Sequence, residues 1–472
     1  MSKRLTAKRS GYHLFDIVLL ILLGLAVCAF LFGFAIYQSE PQWGKTVLGI
    51  SGIASVALGC VLLFNRDVRI NVALSLLSVI VGVFLFNLAL EITNTEILPI
   101  NPLYRSLQVA KTRGLEFDTR SPSEVILDLR QKGQDAYPAI GSLGLSRNFP
   151  YPDTALFPVG GIANVTTVLC NENGSYVIYK SDRYGFNNDN AVYDRSRIDV
   201  LLIGDSYTQG FCVERPQTIA GRLNARGLHT LSLGIAGQGP LLELAALKEY
   251  GHLRKPKIVV WVWYQGNDLE ELKDEIKNPV LAKYLNDGFR QDLARHQREI
   301  DAFRKKQIGE IVNEPISFDK YLNSGKETKE SIKGFLKGVA TLHKTRTVLG
   351  LTKEKYIHDL TDEQKALLQN VKTILQSAQK TVEGWGGKLY FAYIPPYERG
   401  HALHSVAHQK LIGICNDHGI PFIDFDVPYQ RHDDSVLLGL GLAGHHLSAE
   451  GYELLSSYIY EHVNTNATAA AP

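Results

Sequence analysis

The sequence predicts an α/β protein, a parallel sheet covered on both faces, carried behind a group of membrane-spanning helices. Three observations predict it. The first ninety or so residues contain three long apolar runs without a charge. From about residue 198 onward, short β-branched runs alternate with helical patterns, the rhythm of a sheet built from βαβ units. Between the two lies a stretch rich in Pro, Gly, Asn and Tyr, with short β-like stretches such as Tyr176–Lys180.

The apolar runs occupy residues 17–37, 46–64 and 70–90. Each is close to the ~20 residues that cross a ~30 Å hydrocarbon core. A secretory signal would be shorter and would not be followed by two further runs. The Gly- and Ser-rich middle run is the weak member, so two spans are the alternative count. Lys3, Arg4, Lys8 and Arg9 precede the first run, and Arg66 and Arg69 separate the second from the third. The loop after the first run carries only Lys45. Positive flanks favour the cytoplasmic side, so three spans export everything after about residue 91 from an inner or plasma membrane. Two spans would keep it inside.

The expected organisation is a membrane anchor over 1–94 and a lead-in or small subdomain over 95–196. A main α/β domain over 197–465, with an insertion at 268–387, and a disordered Ala-rich tail over 466–472 complete it. A net charge of +2 gives no reason to expect nucleic acid as a partner. Cys28 and Cys60 fall within spans, while Cys170, Cys212 and Cys415 fall where a disulfide is permitted. Three is odd, and the pairing stays open. The cysteines have no metal-ligand spacing, and no segment calls for a cofactor.

Five runs read as strands: 198–203, 229–233, 257–263, 388–394 and 421–425. Helical patterns fill 217–226, 241–250 and 404–417. The insertion is charged and mostly helical, with apolar residues at helical spacing over 293–312. Thr361 with Gln364 resembles a capping box opening a helix that ends before Gly386 and Gly387. It reads as a solvated helical hairpin beside the sheet, or as a lid, because it leaves the sheet where ligands usually bind.

Chemistry concentrates at strand ends. Gly204-Asp205-Ser206-Tyr207-Thr208-Gln209-Gly210 follows the first core strand directly. A serine on a strand-to-helix turn stands at the exposed edge where a nucleophile is needed. The second strand runs into Gly234-Ile235-Ala236-Gly237-Gln238-Gly239, and the third ends in Gln265-Gly266-Asn267-Asp268. Gly444-His445-His446-Leu447-Ser448 opens the last helix, with Ser448 as its expected N-cap. Asp205 and Asp268 are read as fixing turn backbones. A Gly-x-Ser-x-Gly elbow is missing, which speaks against the α/β-hydrolase alternative.

These blocks, in this order, resemble the SGNH (GDSL-like) hydrolase superfamily over roughly residues 199–462, with the insertion as an addition. The resemblance implies a three-layer, flavodoxin-like domain without a cofactor. It makes Ser206 the nucleophile and His446, rather than His445, the base. The backbone N–H groups of Ser206 and Gly237 and the amide of Asn267 would form the oxyanion hole. Gly237 is preferred to Gly234 because it stands where the family glycine does. One departure matters: the position three residues before the histidine, an aspartate in the family, is Ala443. Asp433 and Asp434, in an upstream loop, are candidates for the missing orienting acid. The stretch from Tyr184 to Asp189 resembles a lead-in of some envelope SGNH proteins, and a plain turn is its simpler reading.

The expected function is an integral-membrane serine esterase, hydrolysing or transferring an acyl group, foremost acetyl, on an envelope glycan, lipid or other ester. A non-catalytic binding or assembly module on the same scaffold and a lipase acting on membrane lipids are the alternatives.

Overall fold

The computed structural model describes residues 3–37, 41–94, 102–142, 156–312, 336–342, 345–346, 360–396, 402–440 and 446–468. The chain divides into two compact units: Met1–Ile97 with Lys329–Thr352, and Leu98–Thr328 with Lys353–Pro472.

The first unit holds α1 (Lys3–Tyr37), α2 (Pro41–Val61) and α3 (Arg66–Asn94). The stretches Leu14–Phe34 and Arg66–Leu90 are long and apolar enough to cross a membrane, and Val47–Val61 of α2 is a shorter apolar helix. Their apolar side chains face outward, with Leu31 63% and Ile53 74% exposed. A helix in water would bury that stripe. Glycines let α1 and α2 approach: a Cβ on Gly33 would meet Val47, and one on Gly52 would meet Phe30. Rising numbers on one helix meet falling numbers on the other, so the two run antiparallel. Asp16 pairs with Arg69 at 3.0 Å, which brings the start of α3 level with the start of the apolar stretch Leu14–Phe34 of α1.

Part of the insertion belongs to this unit. Buried Asn87 of α3 donates towards the carbonyls of Gly338 (3.4 Å) and Val339 (3.5 Å) and accepts from Thr345 N at 3.0 Å. An uninterrupted hairpin or lid beside the sheet was expected. A buried amide in an apolar helix demands partners, and the insertion supplies them.

The second unit begins with α4 (Pro102–Thr112) and α5 (Pro122–Gln131), the latter opened by a Ser121–Glu124 capping box. A three-stranded sheet follows: β1 (Ala136–Pro138), β2 (Thr166–Cys170) and β3 (Val177–Lys180). β1 pairs parallel to β2, and β2 pairs antiparallel to β3. The lead-in thus carries a small sheet of its own, within the same compact unit as the main sheet.

The main sheet contains β4 (Val200–Gly204), β5 (Thr230–Ser232), β6 (Ile258–Tyr264), β7 (Lys388–Ile394) and β8 (Phe422–Asp424). Its order is β5-β4-β6-β7-β8 and every pairing is parallel. Counted within this sheet, that is the doubly wound order 2-1-3-4-5. Side chains alternate between two apolar layers. Leu201, Ile203, Trp261 and Phe391 enter one core with Leu244 and Val371, while Val200, Leu202, Val260 and Ala392 enter another with Leu223 and Leu455.

The helices after β4 include α6 (Ser206–Gln209), α7 (Ile219–Ala225), α8 (Pro240–Tyr250), α9 (Asp268–Glu275), α10 (Gln297–Val312), α11 (Asp362–Glu383), α12 (Ala402–Asp417) and α13 (Ala449–Thr468), beside the one-turn helices Pro279–Ala282, Asp426–Tyr429 and Asp434–Leu437. Thr361 and Gln364 form the capping box of α11. In α10, Arg304 donates to Ser142 Oγ (2.7 Å) and to the Ile140 carbonyl, and Asp301 accepts from Ala163 N (2.9 Å). That half of the insertion is thereby fastened to the lead-in. The tail expectation needs a correction: α13 continues through Thr468, and only residues beyond it fall outside the described ones.

Candidate active site

Strand order determines where a site can form. From β4 the chain goes to β5 on one side and then to β6 on the other, so a crevice opens beyond the carboxyl ends of β4 and β6. Ser206 follows β4 and Asn267 follows β6.

The turn after β4 is dictated by its residues. Gly204 has φ +152°, and a Cβ there would lie 2.2 Å from Thr208 Oγ1 and 2.6 Å from the Val262 carbonyl. Asp205 caps α6 by accepting from Tyr207 N at 2.9 Å, and Gly210 ends it in the left-handed region, φ +80°. Ser206 thus sits at the first position of a one-turn helix, 5% exposed.

His446 Nε2 lies 3.0 Å from Ser206 Oγ. Its Nδ1 lies 2.9 Å from Glu172 Oε1, and its backbone N–H donates to Glu172 Oε2 at 3.2 Å. One carboxylate therefore holds both ring and backbone, and each side chain is 16% exposed. The rings of Phe211 and Tyr207 flank the imidazole at centroid distances of 4.4 and 5.2 Å. Burial alone would lower the His446 pKa, but the charge and hydrogen bond of Glu172, with the charge of Asp205, hold it above the ordinary value. Burial pushes the Asp205 carboxyl up, against Tyr207 N–H and the His446 charge. Asp205 Oδ2 also lies 3.1 Å from Ser206 Oγ, so Asp205 and His446 both present acceptors to one hydroxyl proton.

The proposed orienting acids are corrected here. Asp433 accepts from Ser435 N at 2.8 Å as the N-cap of the one-turn helix Asp434–Leu437, and Asp434 lies in that helix. The carboxylate on His446 Nδ1 belongs to Glu172, 274 positions upstream in the turn between β2 and β3. Nearness to the histidine along the chain was the wrong criterion. A usable signal was Cys170, two residues before Glu172, and Cys212, six after Ser206: they form a disulfide with Cα atoms 5.4 Å apart. Ala443 and His445 lie outside the described residues.

The other expected donors are less directly arranged. Asn267 Nδ2 donates to Glu271 Oε1 at 3.0 Å, and the same side chain reaches Asp205. Gly237 has φ +72°, and a Cβ there would meet nothing within 4 Å. Gly234 instead packs against the Thr208–Gln209 segment: a Cβ there would lie 2.4 Å from Gln209 N. The Gly237 loop is braced from below: Glu275 accepts from Gly239 N at 2.7 Å and from Leu241 N at 2.9 Å. Asp268 accepts from Tyr264 N at 2.8 Å. The Tyr184–Asp189 stretch is a brace: Asn187 donates to the Gln209 carbonyl (3.0 Å), and Asn188 bonds the Ser232 carbonyl (2.8 Å) and N–H (2.9 Å). Among the described residues, no group of three or more His, Cys, Asp or Glu is placed to hold a metal ion.

The fold and site define a mixed α/β protein in which a serine at the end of a parallel strand, a histidine and a glutamate stand in hydrogen-bonded sequence. The chain matches no protein-family model and no curated protein. Among solved structures it is similar to a Bacteroides fragilis protein described as a “putative acylhydrolase”, with 12% identity and a TM-score of 0.31, covering 59% of this chain and 94% of that one.

Proposed function

We propose that this chain is a membrane-anchored serine esterase or acyl transferase of the SGNH type, acting on an ester outside the cytoplasm. The observation that carries the reading is the relay Ser206 Oγ–His446 Nε2 at 3.0 Å and His446 Nδ1–Glu172 Oε1 at 2.9 Å. It joins a nucleophile, a base and an orienting carboxylate, the constellation that recurs on unrelated folds.

In this reading Ser206 Oγ attacks the ester carbonyl while its proton passes to His446 Nε2. Glu172 keeps Nδ1 protonated and stabilises the imidazolium. The tetrahedral oxyanion accepts from the backbone N–H groups of Ser206 and Gly237 and from the Asn267 amide, which must turn from Glu271 to do so. Collapse expels the alcohol, which takes the His446 proton, and leaves an acyl-serine. Water or a second hydroxyl then enters by the reverse sequence and frees Ser206. Hydrolysis and transfer differ only in that acceptor.

The substrate class follows from location. An anchored site reaches esters near the bilayer, which favours an acetylated envelope glycan, lipid or exported polymer. The antiparallel α1–α2 pair and the Asp16–Arg69 contact support three passes, since the chain must cross and return before α3 starts. With the positive flanks inside, the catalytic unit is exported.

The test is turnover of p-nitrophenyl acetate by the purified full chain beside Ser206→Ala. Loss of the activity in the variant supports the assignment. Equal turnover by both removes it.

A further inference from the structure

We infer that the Cys170–Cys212 disulfide is a positioning element, locking Glu172 against the nucleophile loop and making the complete relay depend on an oxidising compartment. The inference rests on the esterase reading above. Ser206 is set by the main sheet, but Glu172 lies in a turn of the three-stranded sheet, which no strand pairing among the described residues joins to the main one. Main-sheet register therefore does nothing to place this carboxylate. The turn that carries it needs its own fastening.

β3 is held to the nucleophile loop by Gln209 Nε2, which donates to Tyr179 Oη at 2.9 Å, and by Arg215, which donates to the Lys180 carbonyl, while the turn itself is fastened around Cys212. Cys212 is bonded to Cys170, and its carbonyl accepts from Asn173 Nδ2 at 2.9 Å. Asn173 Oδ1 accepts from Leu440 N at 3.2 Å, six residues before His446. Asn171 closes the turn from within, accepting from Gly174 N at 2.9 Å and donating to the Asp118 carbonyl at 2.9 Å. Glu172 thus lies between two residues tied to the Cys212 position. Only the disulfide is covalent. A misplacement of about 1 Å in a catalytic group can cost about 100-fold in rate.

The experiment compares wild type, Cys170→Ala/Cys212→Ala, Glu172→Gln and the triple variant, measuring kcat, melting temperature and the pH profile of kcat/KM. The double variant is expected to lose tenfold or more in kcat, on the order allowed by such a misplacement. Its acid limb should move to lower pH in the same sense as that of Glu172→Gln, and the triple variant should be no slower than Glu172→Gln. A double variant with a lower melting temperature but unchanged kcat and acid limb overturns the inference, since the bond then only stabilises. Should the double variant fail to fold, folded wild type is reduced with a phosphine, which yields two thiols and a phosphine oxide whose oxygen comes from water. Wild type should slow on reduction and Glu172→Gln should not. Equal slowing of both overturns the inference. An oxidised wild type that never reacts with a fluorophosphonate sinks the esterase reading, and this one with it; a reactive wild type matched by its cysteine variant sinks this one alone.

Discussion

At the scale of single residues, the account turns on how Glu172 tunes His446. The base must be neutral to accept the serine proton, so the acid limb of kcat/KM follows the His446 pKa. Glu172 holds that pKa up while burial opposes it. Glu172→Gln should therefore move the acid limb to lower pH and reduce the plateau by about 10²–10⁴-fold, the range seen when a triad carboxylate is neutralised. A pH series of kcat/KM for the two proteins checks both effects. Asn267→Ala should cost about 10²–10³ in kcat if its amide serves the oxyanion, and an unchanged kcat would remove it from that role. Gly204→Ala belongs to another class: its Cβ would strike Thr208 Oγ1 and the Val262 carbonyl. Loss of over about 4 kcal/mol, read by urea unfolding, is expected from a clash that rigid backbone cannot relieve.

At the scale of elements, Glu275 ties α9 to the start of α8, and its pKa is raised to about 7 because burial outweighs the three backbone N–H groups it accepts from. The sign follows from linkage. A carboxyl raised on folding adds stability that is fully present below its unfolded value and is lost as pH rises through about 7. The melting-temperature advantage of wild type over Glu275→Ala should accordingly shrink between about pH 5 and pH 8, as thermal melts across that range would reveal.

The five main-sheet strands were legible in the sequence to within a residue or two, because runs such as Ile258–Tyr264 are apolar on both sides and long enough to declare themselves. Ser206 and Asn267 stood out as candidates because each follows such a run closely, and Gly237 because it lies several residues past the end of β5. Glu172 did not. It sits in a turn between strands of four and five residues, and what brings it to His446 is tertiary packing over 274 positions. Asp433 and Asp434 attracted attention through chain proximity alone, and local capping had already claimed Asp433. The split insertion was hidden for the same reason: only the polarity of Asn87 hinted that an apolar helix would recruit residues near 338 and 345.

At the scale of the whole molecule, function depends on which side of the membrane the second unit occupies. The proposed three passes, with positive flanks inside, predict that a C-terminal alkaline phosphatase fusion is active in cells and that a fluorescent-protein fusion at the same point is dark. The opposite pair of results would return the site to the cytoplasm. The central claim is tested most directly by fluorophosphonate labelling of the full chain, because only an activated serine reacts covalently. The account predicts one label on wild type, located at Ser206, slower labelling of Glu172→Gln and none on Ser206→Ala. Wild type that stays unlabelled, or a Ser206→Ala protein that labels equally, would contradict it.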